Sequence, residues 1–344
     1  MRLKNKDIAE QLGISTTAVS LALNNRPGVS EATRRRVLEL VSDSTLETIH
    51  SLNEEMEPAK RSILLSVHKK NGVIINDKPF FSNITEAAQQ ELLKEGYNMI
   101  LSHYVPSQGL NQYIQYIKGL PIAGVLLVAT ELDSEDLAFY KQLDIPMVLL
   151  DGSFDFENLD SVTLDNERAI LRAFAYGVKM GHRRIGYLKS ESFINNFGHR
   201  MDGFMKGIRD FGLENEPHPV ISLPCDVEGA YQRMSEYLSN LDKDFQMPTL
   251  FLSDLDYIAL GAMNAFEEHG YAIPDDVSFI GYDDVATSAV SKPPLTTIRV
   301  NQSDIGRYAA HLLLDRIESY QSLHITMQVA SELVIRESVK DLRA

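Results

Sequence analysis

The sequence predicts an α/β protein in which a small all-α helix-turn-helix headpiece precedes a large domain built on parallel sheets. Three observations carry this. Residues 6–41, KDIAEQLGISTTAVSLALNNRPGVSEATRRRVLELV, read as three short capped helices around a small apolar core. From Ser62 onward, eight short apolar runs alternate with amphipathic stretches that close in glycine. At 344 residues the chain exceeds one ordinary core, so at least two domains are expected.

In the headpiece, Ile8 and Leu12 lie four apart on the first helix, and Ala9 is small enough for a close crossing. Gly13 follows the helix end, where a left-handed residue commonly terminates it. Ser15 is placed to cap the second helix by accepting a bond from a free backbone N–H. At about 100° per residue, Ala18, Val19, Ala22 and Leu23 gather on one side of that helix; Thr16, Thr17, Ser20, Leu21 and Asn24 gather opposite. A helix packed on one side and showing short polar side chains on the other is suited to being read by a partner. Placed second after a glycine turn, it fits a DNA recognition helix. After the turn-rich Asn24-Asn25-Arg26-Pro27-Gly28, Ser30 caps a third helix whose Val37, Leu38 and Val41 close the core. The same pattern also describes a three-helix bundle with no nucleic-acid role.

The net charge of −15 argues against nucleic acid only until its distribution is seen. Residues 1–45 hold seven Lys/Arg against five Asp/Glu, whereas 46–61 hold two against four. The acidity therefore lies mainly beyond the headpiece. Lys4, Lys6, Arg26 and Arg34-Arg35-Arg36 are placed to meet phosphates. The charged N-terminus and the lack of a long apolar stretch predict neither secretion nor membrane insertion. The single Cys225 fits a reducing cytoplasm and is read as packing. No cofactor and no metal is expected, and P-loop, dinucleotide, zincin and nucleophile-elbow motifs are absent.

The eight apolar runs of the large domain begin at 62, 98, 124, 147, 184, 219, 249 and 277. Continuously apolar strands alternating with helices imply parallel sheets covered on both faces. Two runs of four suggest two similar subdomains. Open α/β sheets take ligands beyond the carboxyl ends of their strands. Phe80 and Phe81 follow the first strand, Asp151 the fourth, and Asp254 and Asp256 follow TLFLS. Asp283 and Asp284 follow VSFIGY, and Arg200 opens the helix after ESFINNFGH. Carboxylates and an arginine grip vicinal hydroxyls while aromatic rings cover an apolar face, so a small sugar-like effector is expected. For each acid, helix capping or a surface turn is the alternative reading.

The stretch LKNKDIAEQLGISTTAVSLALNNRPGVSEATRRRVLEL resembles the headpiece of the lactose/galactose repressor family of bacterial regulators. KPFFSNITEAAQQELLKEGYN, MGHRRIGYL, RMDGFMKGI, IPDDVSFIGYDD and PPLTTIRV follow in the family's order. The resemblance implies two lobes of type I periplasmic-binding-protein kind. SVTLDN (161–166), TTIRV (296–300) and the stretch around Met327–Ser331 would join them, permitting hinge closure about an effector. It places the headpiece at 1–45, an atypical acidic hinge at 46–61 and the effector-binding and dimerisation domain at 62–344. Lobe 1 would take about 62–161 plus 299–325, and lobe 2 about 166–295 plus 329–344. Arg200 in R-x-x-G-F and Asp283 in G-Y-D-D match positions that usually hold effector. Asp256 matches a third, with Leu255 where Asn often precedes it.

By the same resemblance, a homodimer would set residues 16–24 in the major groove of double-stranded operator DNA. Thr16, Thr17, Ser20 and Leu21 would face base edges, with Asn5, Lys6, Asn24, Asn25, Arg26, Ser30 and Thr33 near the backbone. Leu21 stands where some relatives carry Arg; it can meet a thymine methyl but not pair bidentately with guanine. Two segments depart from the family pattern. HKKNGVIIND before Pro79 is longer than usual, which modifies the pocket mouth. SDSTLETIHSLNEEMEPAKR (42–61) lacks the Tyr-x-Pro-Asn motif and basic hinge helix, leaving Leu52 as a minor-groove wedge or a helix–helix or linker residue. The chain ends after SELVIRES without a heptad segment, which favours a dimer over a tetramer. The expected function is a cytoplasmic DNA-binding transcriptional regulator, read as a repressor, under effector control. A solute-binding protein or a sugar-modifying enzyme of the same fold class is the alternative.

Overall fold

The computed structural model describes residues 5–23, 28–30, 33–37, 62–72, 79–154, 156–242, 245–319 and 323–343. The acidic segment 42–61, with Leu52, and the expected core residues Leu38 and Val41 lie outside them. The chain forms two compact units, Met1–Lys60 and Arg61–Ala344.

In the first unit, α1 (Asn5–Leu12), α2 (Thr16–Leu23) and α3 (33–37) enclose Ile8, Ala9, Val19, Ala22 and Val37. Leu12, Ile14 and Val29 pack against that core from its edge. Among the described residues this core is small, and capped turns fix the helix ends around it. Gly13 adopts φ +64, and the Ile14 N–H donates back to the Ala9 carbonyl at 3.0 Å, ending α1. The Ser15 hydroxyl accepts from the Ala18 N–H at 3.1 Å, starting α2. Ser30 does the same for Thr33 at 3.1 Å, starting α3.

The second unit holds two six-stranded sheets among the described residues. The first contains β1 (Ser62–His68), β2 (Asn98–Tyr104), β3 (Ile122–Val128), β4 (Met147–Leu150), β5 (Asp160–Leu164) and β11 (Thr326–Val329). The second contains β6 (Ile185–Ser190), β7 (Val220–Leu223), β8 (Leu250–Ser253), β9 (Ser278–Asp283), β10 (Thr296–Arg299) and β12 (Glu332–Val334). Their orders, β11-β5-β4-β3-β1-β2 and β12-β10-β9-β8-β6-β7, correspond strand for strand. One pairing breaks the likeness: β11 runs parallel to β5, whereas β12 runs antiparallel to β10. The segments expected only to connect the lobes are thus themselves strands, which raises each sheet from four to six.

The helices are α4 (Pro79–Lys94), α5 (Leu110–Lys118), α6 (Ser134–Tyr140), α7 (Asn166–Lys179), α8 (Asn195–Asp210), α9 (Val227–Ser239), α10 (Asp256–Glu268), α11 (Ala286–Val290) and α12 (Gln302–Glu318). The chain crosses between lobes after β5, after β10 and between β11 and β12, and the two long helices that follow crossings change sides. α7 follows a first-lobe strand and packs on α8 and the second sheet; α12 follows a second-lobe strand and packs on α4 and the first sheet. Both helix pairs approach closely through a glycine. A Cβ on Gly203 would lie 2.3 Å from the Glu167 carbonyl oxygen, and one on Gly306 would lie 2.1 Å from that of Ile84.

The remaining sequence expectations settle locally. Cys225 is buried beside the Ser190 hydroxyl. His182 is fully buried, its ring nitrogens 2.9 Å from the Thr249 hydroxyl and 3.1 Å from the Lys340 carbonyl, which ties the C-terminal stretch to the second lobe. No helix among the described residues is long and apolar enough to cross a membrane.

Candidate functional site

The first candidate surface is the outward side of α2. Val19 and Ala22 point into the headpiece core, while Thr16 and Thr17 are exposed and Ser20 and Leu21 are half-buried. Leu21 is partly committed within the headpiece, because a Cβ on Gly28 would meet its Cδ1 at 3.1 Å. The Arg34 guanidinium donates to the Leu21 and Ala22 carbonyls at 3.4 and 3.3 Å, closing the C-terminal end of α2 where unpaired carbonyls favour a cation. Thr33 shares a 2.8 Å hydroxyl contact with Ser30 at the cap of α3. The side chains of Asn5 and Lys6, and residues Asn24, Asn25 and Arg26, lie outside the described set.

The second candidate site is where the carboxyl ends of the two sheets face each other. A continuous run of buried hydrogen bonds crosses it. From the first lobe, Asp151 at the end of β4 accepts from the Thr130 hydroxyl at 2.7 Å. The Asn196 amide, on α8 of the second lobe, donates to the Asp151 carboxylate at 3.0 Å and to its carbonyl at 3.1 Å. Asn166 at the start of α7 donates to Asn196 at 3.2 Å, and its own Oδ1 accepts from Arg200 Nε at 2.9 Å and the Tyr282 hydroxyl at 3.1 Å. Arg200 also donates to the Asp254 carbonyl and lies 3.5 Å above the Tyr282 ring centroid. The Asp254 carboxylate accepts from the Tyr187 hydroxyl and the Ser190 N–H, each at 2.7 Å.

These groups sit in low-dielectric surroundings, which bears on their protonation. Burial pushes the Asp151 carboxyl up to about 6 and the Asp254 carboxyl up to about 6, against the donors that favour their charged forms. Burial alone would lower Arg200; Tyr282, Asp283 and Asp254 more than offset it and keep the guanidinium charged.

The sequence expectations divide here. Asp151 and Arg200 are brought together through Asn196 and Asn166, but both are internal, 2% and 3% exposed. Asp283 is half-buried at the end of β9 with φ +105, and Asp151 has φ +55; such backbone in a non-glycine residue costs of order 1–3 kcal/mol and gathers at functional sites. Asp284 pairs instead with Arg299 and Arg336. Phe81 packs against the first-lobe core, and the Phe80 side chain lies outside the described set.

Of the two readings the sequence leaves for Asp256, ligand contact and internal turn, its contacts here are internal. It is fully buried, one oxygen accepting from the Val285 N–H at 2.9 Å and the Ser288 hydroxyl at 2.7 Å, the other from the Thr297 hydroxyl at 2.5 Å. With both oxygens taken up inside the second lobe, it fastens the loop after β9 to β10, and burial pushes its carboxyl up to about 7. Asn166, Asn196 and Tyr282 were not expected at the site. The Asn-Asn pair after ESFI was the available signal for Asn196.

Beyond this buried run lies an open cavity of about 190 Å³. It is bounded in the first lobe by the turns around Asn71 and Glu131 and in the second by the 192–195 loop.

Comparison with known proteins agrees with both halves of this picture. The family description "Bacterial regulatory proteins, lacI family" matches residues 5–47, and "Periplasmic binding protein-like domain" matches 174–339. The chain is 30% identical over 342 residues to the HTH-type transcriptional repressor PurR of Histophilus somni, covering 98% of this chain and 99% of that protein. It is 29% identical over 341 residues to PurR of Mannheimia succiniciproducens, covering 98% of each. Among solved structures, the CelR–cellobiose complex has a TM-score of 0.71 at 22% identity, with 98% of this chain and 100% of that chain covered. The lac repressor dimer bound to operator and the anti-inducer ONPF has a TM-score of 0.71 at 23% identity, with 99% and 100% covered. At these identities the two structures establish the fold.

Proposed function

This chain belongs to the lacI family of bacterial regulatory proteins and is a DNA-binding transcriptional regulator, and from that premise we propose that it is a homodimeric repressor whose operator affinity follows a small sugar-like effector held between its lobes. The observation that carries the proposal is a capped two-helix turn presenting Thr16 and Thr17 on the same chain as two lobes bridged by hydrogen bonds across their facing strand ends.

Residues 1–45 read DNA in this account, 46–61 join, and 62–344 bind effector and dimerise. Thr16, Thr17, Ser20 and Leu21 meet base edges, while Asn5, Lys6, Asn24, Asn25, Arg26, Ser30 and Thr33 hold the backbone. Effector acts through the Asp151–Asn196 bridge, with Arg200 and Asp283 behind it, because only contacts that differ between open and closed lobes can shift the equilibrium. A structural neighbour holds cellobiose, and a lining that includes Asn71, Thr130, Glu131, Ser192 and Asn195 can meet sugar hydroxyls, which supports a sugar-like effector.

The test is selection of duplexes from a random-sequence library, followed by anisotropy titrations on the winner. Enriched sites are expected to be palindromic, and Thr17→Ala is expected to weaken selective binding by about 1–3 kcal/mol with little change on mixed-sequence DNA. A chain that enriches no sequence would overturn the regulator mechanism as proposed.

A further inference from the structure

A second cavity, of about 470 Å³, lies away from the cleft, at the amino ends of the first-lobe strands β4 and β5. Sites that enclose small organic molecules run from roughly 300 to 1,000 Å³, so this one has room for such a molecule. Its apolar lining comes from two short stretches: Ile145, Pro146 and Met147, where the chain enters β4, and Leu159, just before β5. All four are half-buried, so each leaves carbon uncovered for a partner. The Met147 thioether makes favourable contacts with an aromatic ring edge.

Charge is unevenly spent around this lining. Lys141 is held by Glu157 at 2.6 Å. Arg316 donates to the two Asp160 oxygens at 2.5 and 2.8 Å, and His324 Nδ1 stands 3.8 Å from the same carboxylate. Asp144 is exposed and has no partner among the described residues. Its backbone is left-handed, φ +48, where the short 141–143 helix ends and the chain turns toward β4. One uncompensated carboxylate beside an apolar surface suits a molecule with one cation and one apolar body. An anion would meet Asp144 while Lys141 and Arg316 are already engaged with carboxylates.

We propose that this cavity is a second ligand site, separate from the cleft, for a small arylalkyl amine. Its ring lies on Ile145, Pro146, Met147 and Leu159, and its ammonium meets the Asp144 carboxylate. The site also touches the junction of the lobes. Asp160 opens β5, which runs into one lobe crossing, and it accepts the Ile325 N–H at 2.7 Å just before β11, which runs into another. An occupant therefore stiffens the starts of two crossing strands.

The chain contains no tryptophan, so an indole probe excited to the red of tyrosine is seen alone. Full-length protein is titrated into dilute tryptamine, indole or indole-3-acetate, with emission anisotropy as the readout. Tryptamine is expected to bind saturably with a Kd below about 1 mM, and indole-3-acetate at least about tenfold more weakly. Asp144→Asn, which tolerates the left-handed backbone, is expected to weaken tryptamine about three- to tenfold and leave indole unchanged. Leu159→Ala is expected to weaken both by about threefold. Asp210→Asn, an exposed acid of the second lobe, controls for attraction to the net charge of −15 and should change nothing. Thermal scans verify that each variant is folded. Hydrogen exchange at the Ile325 amide is expected to slow in saturating tryptamine. The proposal is overturned if no saturable binding is seen or if the acetate binds as tightly as the amine. It is equally overturned if Asp144→Asn weakens tryptamine no more than Asp210→Asn does. Unchanged exchange at Ile325 would overturn the link to the lobe crossings.

Discussion

In the first lobe, one group of charges stands at the cleft mouth: Lys70, 39% exposed, pairs with Asp133 and Asp136. In the second lobe the corresponding end holds Arg200, Asp254 and Asp256 almost wholly inside. The two sheets have the same strand order, so topology does not dictate this difference. Side-chain length and helix placement do. Arg200 projects from within α8 back over Tyr282, and Asp256 opens α10 directly beneath β9. The consequence is mechanical: the Arg200 cluster of the second lobe is a staple of buried charge, whereas the Lys70 cluster of the first lies near solvent, where it is cheap to rearrange.

The largest test of this contrast is Arg200→Ala. It removes the guanidinium from Asn166 and Asp254 and leaves a buried carboxylate without its nearest cation, so a loss of about 3–5 kcal/mol is expected from chemical denaturation. A loss below about 1 kcal/mol would place Arg200 with the mouth residues and break the comparison.

A second pair of changes probes what the lobes share. Gly203→Ala drives a methyl onto the Glu167 carbonyl between α8 and α7, and Gly306→Ala drives one onto the Ile84 carbonyl between α12 and α4. Each is expected to cost about 1–3 kcal/mol, net of the improved helix propensity. Similar losses from the two variants sharpen the picture of matched helix crossings; a loss from one alone breaks it.

The legible parts of this molecule in its sequence are those whose signals are local. Gly13, Ser15 and Ser30 announce their turns and caps, and the eight apolar runs announce strands. The short crossovers read as connectors because four or five residues carry too little periodicity to reveal a sheet partner. β11 pairs with β5 across more than 160 residues, for example from Thr326 to Ser161. Asp256 stayed open between two readings for a related reason. An acid just after a strand is equally suited to a ligand and to an internal turn, and only the Ser288 and Thr297 hydroxyls decide it. Asn166 and Asn196 become visible as a pair only once α7 and α8 pack.

Acidity separates the buried acids of the cleft from a buried histidine. Burial pushes the Asp254 and Asp256 carboxyls of the second lobe up to about 6 and about 7, and that of Asp151 in the first up to about 6, above the ordinary value of about 3.9. The native state therefore keeps protons that the unfolded chain releases, and their stabilisation, complete at low pH, is lost as pH rises through 6 to 7. His68 in the first lobe is fully buried and lowered by desolvation, with Asp136 opposing. Its contribution runs the other way and is lost as pH falls below about 6.5, where the unfolded imidazole takes up its proton. Denaturation midpoints of Asp256→Asn across about pH 5 to 7.5 should show a flatter fall with pH than the parent, by at most about 1.4 kcal/mol per pH unit. A curve parallel to the parent's would return Asp256 to an ordinary acid.

The smallest effect belongs to Lys70→Ala. Its ammonium meets two carboxylates, but it is 39% exposed and Asp133 is 45% exposed, so solvent and salt screen the pair. Asp133 keeps its bond from the Asp136 N–H at 2.8 Å, so α6 keeps its cap. His68 still reaches Asp136 at 3.2 Å. Stability should fall by no more than about 1 kcal/mol, and by less in high salt. Set against Arg200→Ala in the same assay, this ranks the two clusters directly. If Lys70→Ala cost as much as Arg200→Ala, the first-lobe mouth would be as tightly stapled as the second-lobe interior, and the cheaply rearranged side of the cleft would have to be sought elsewhere.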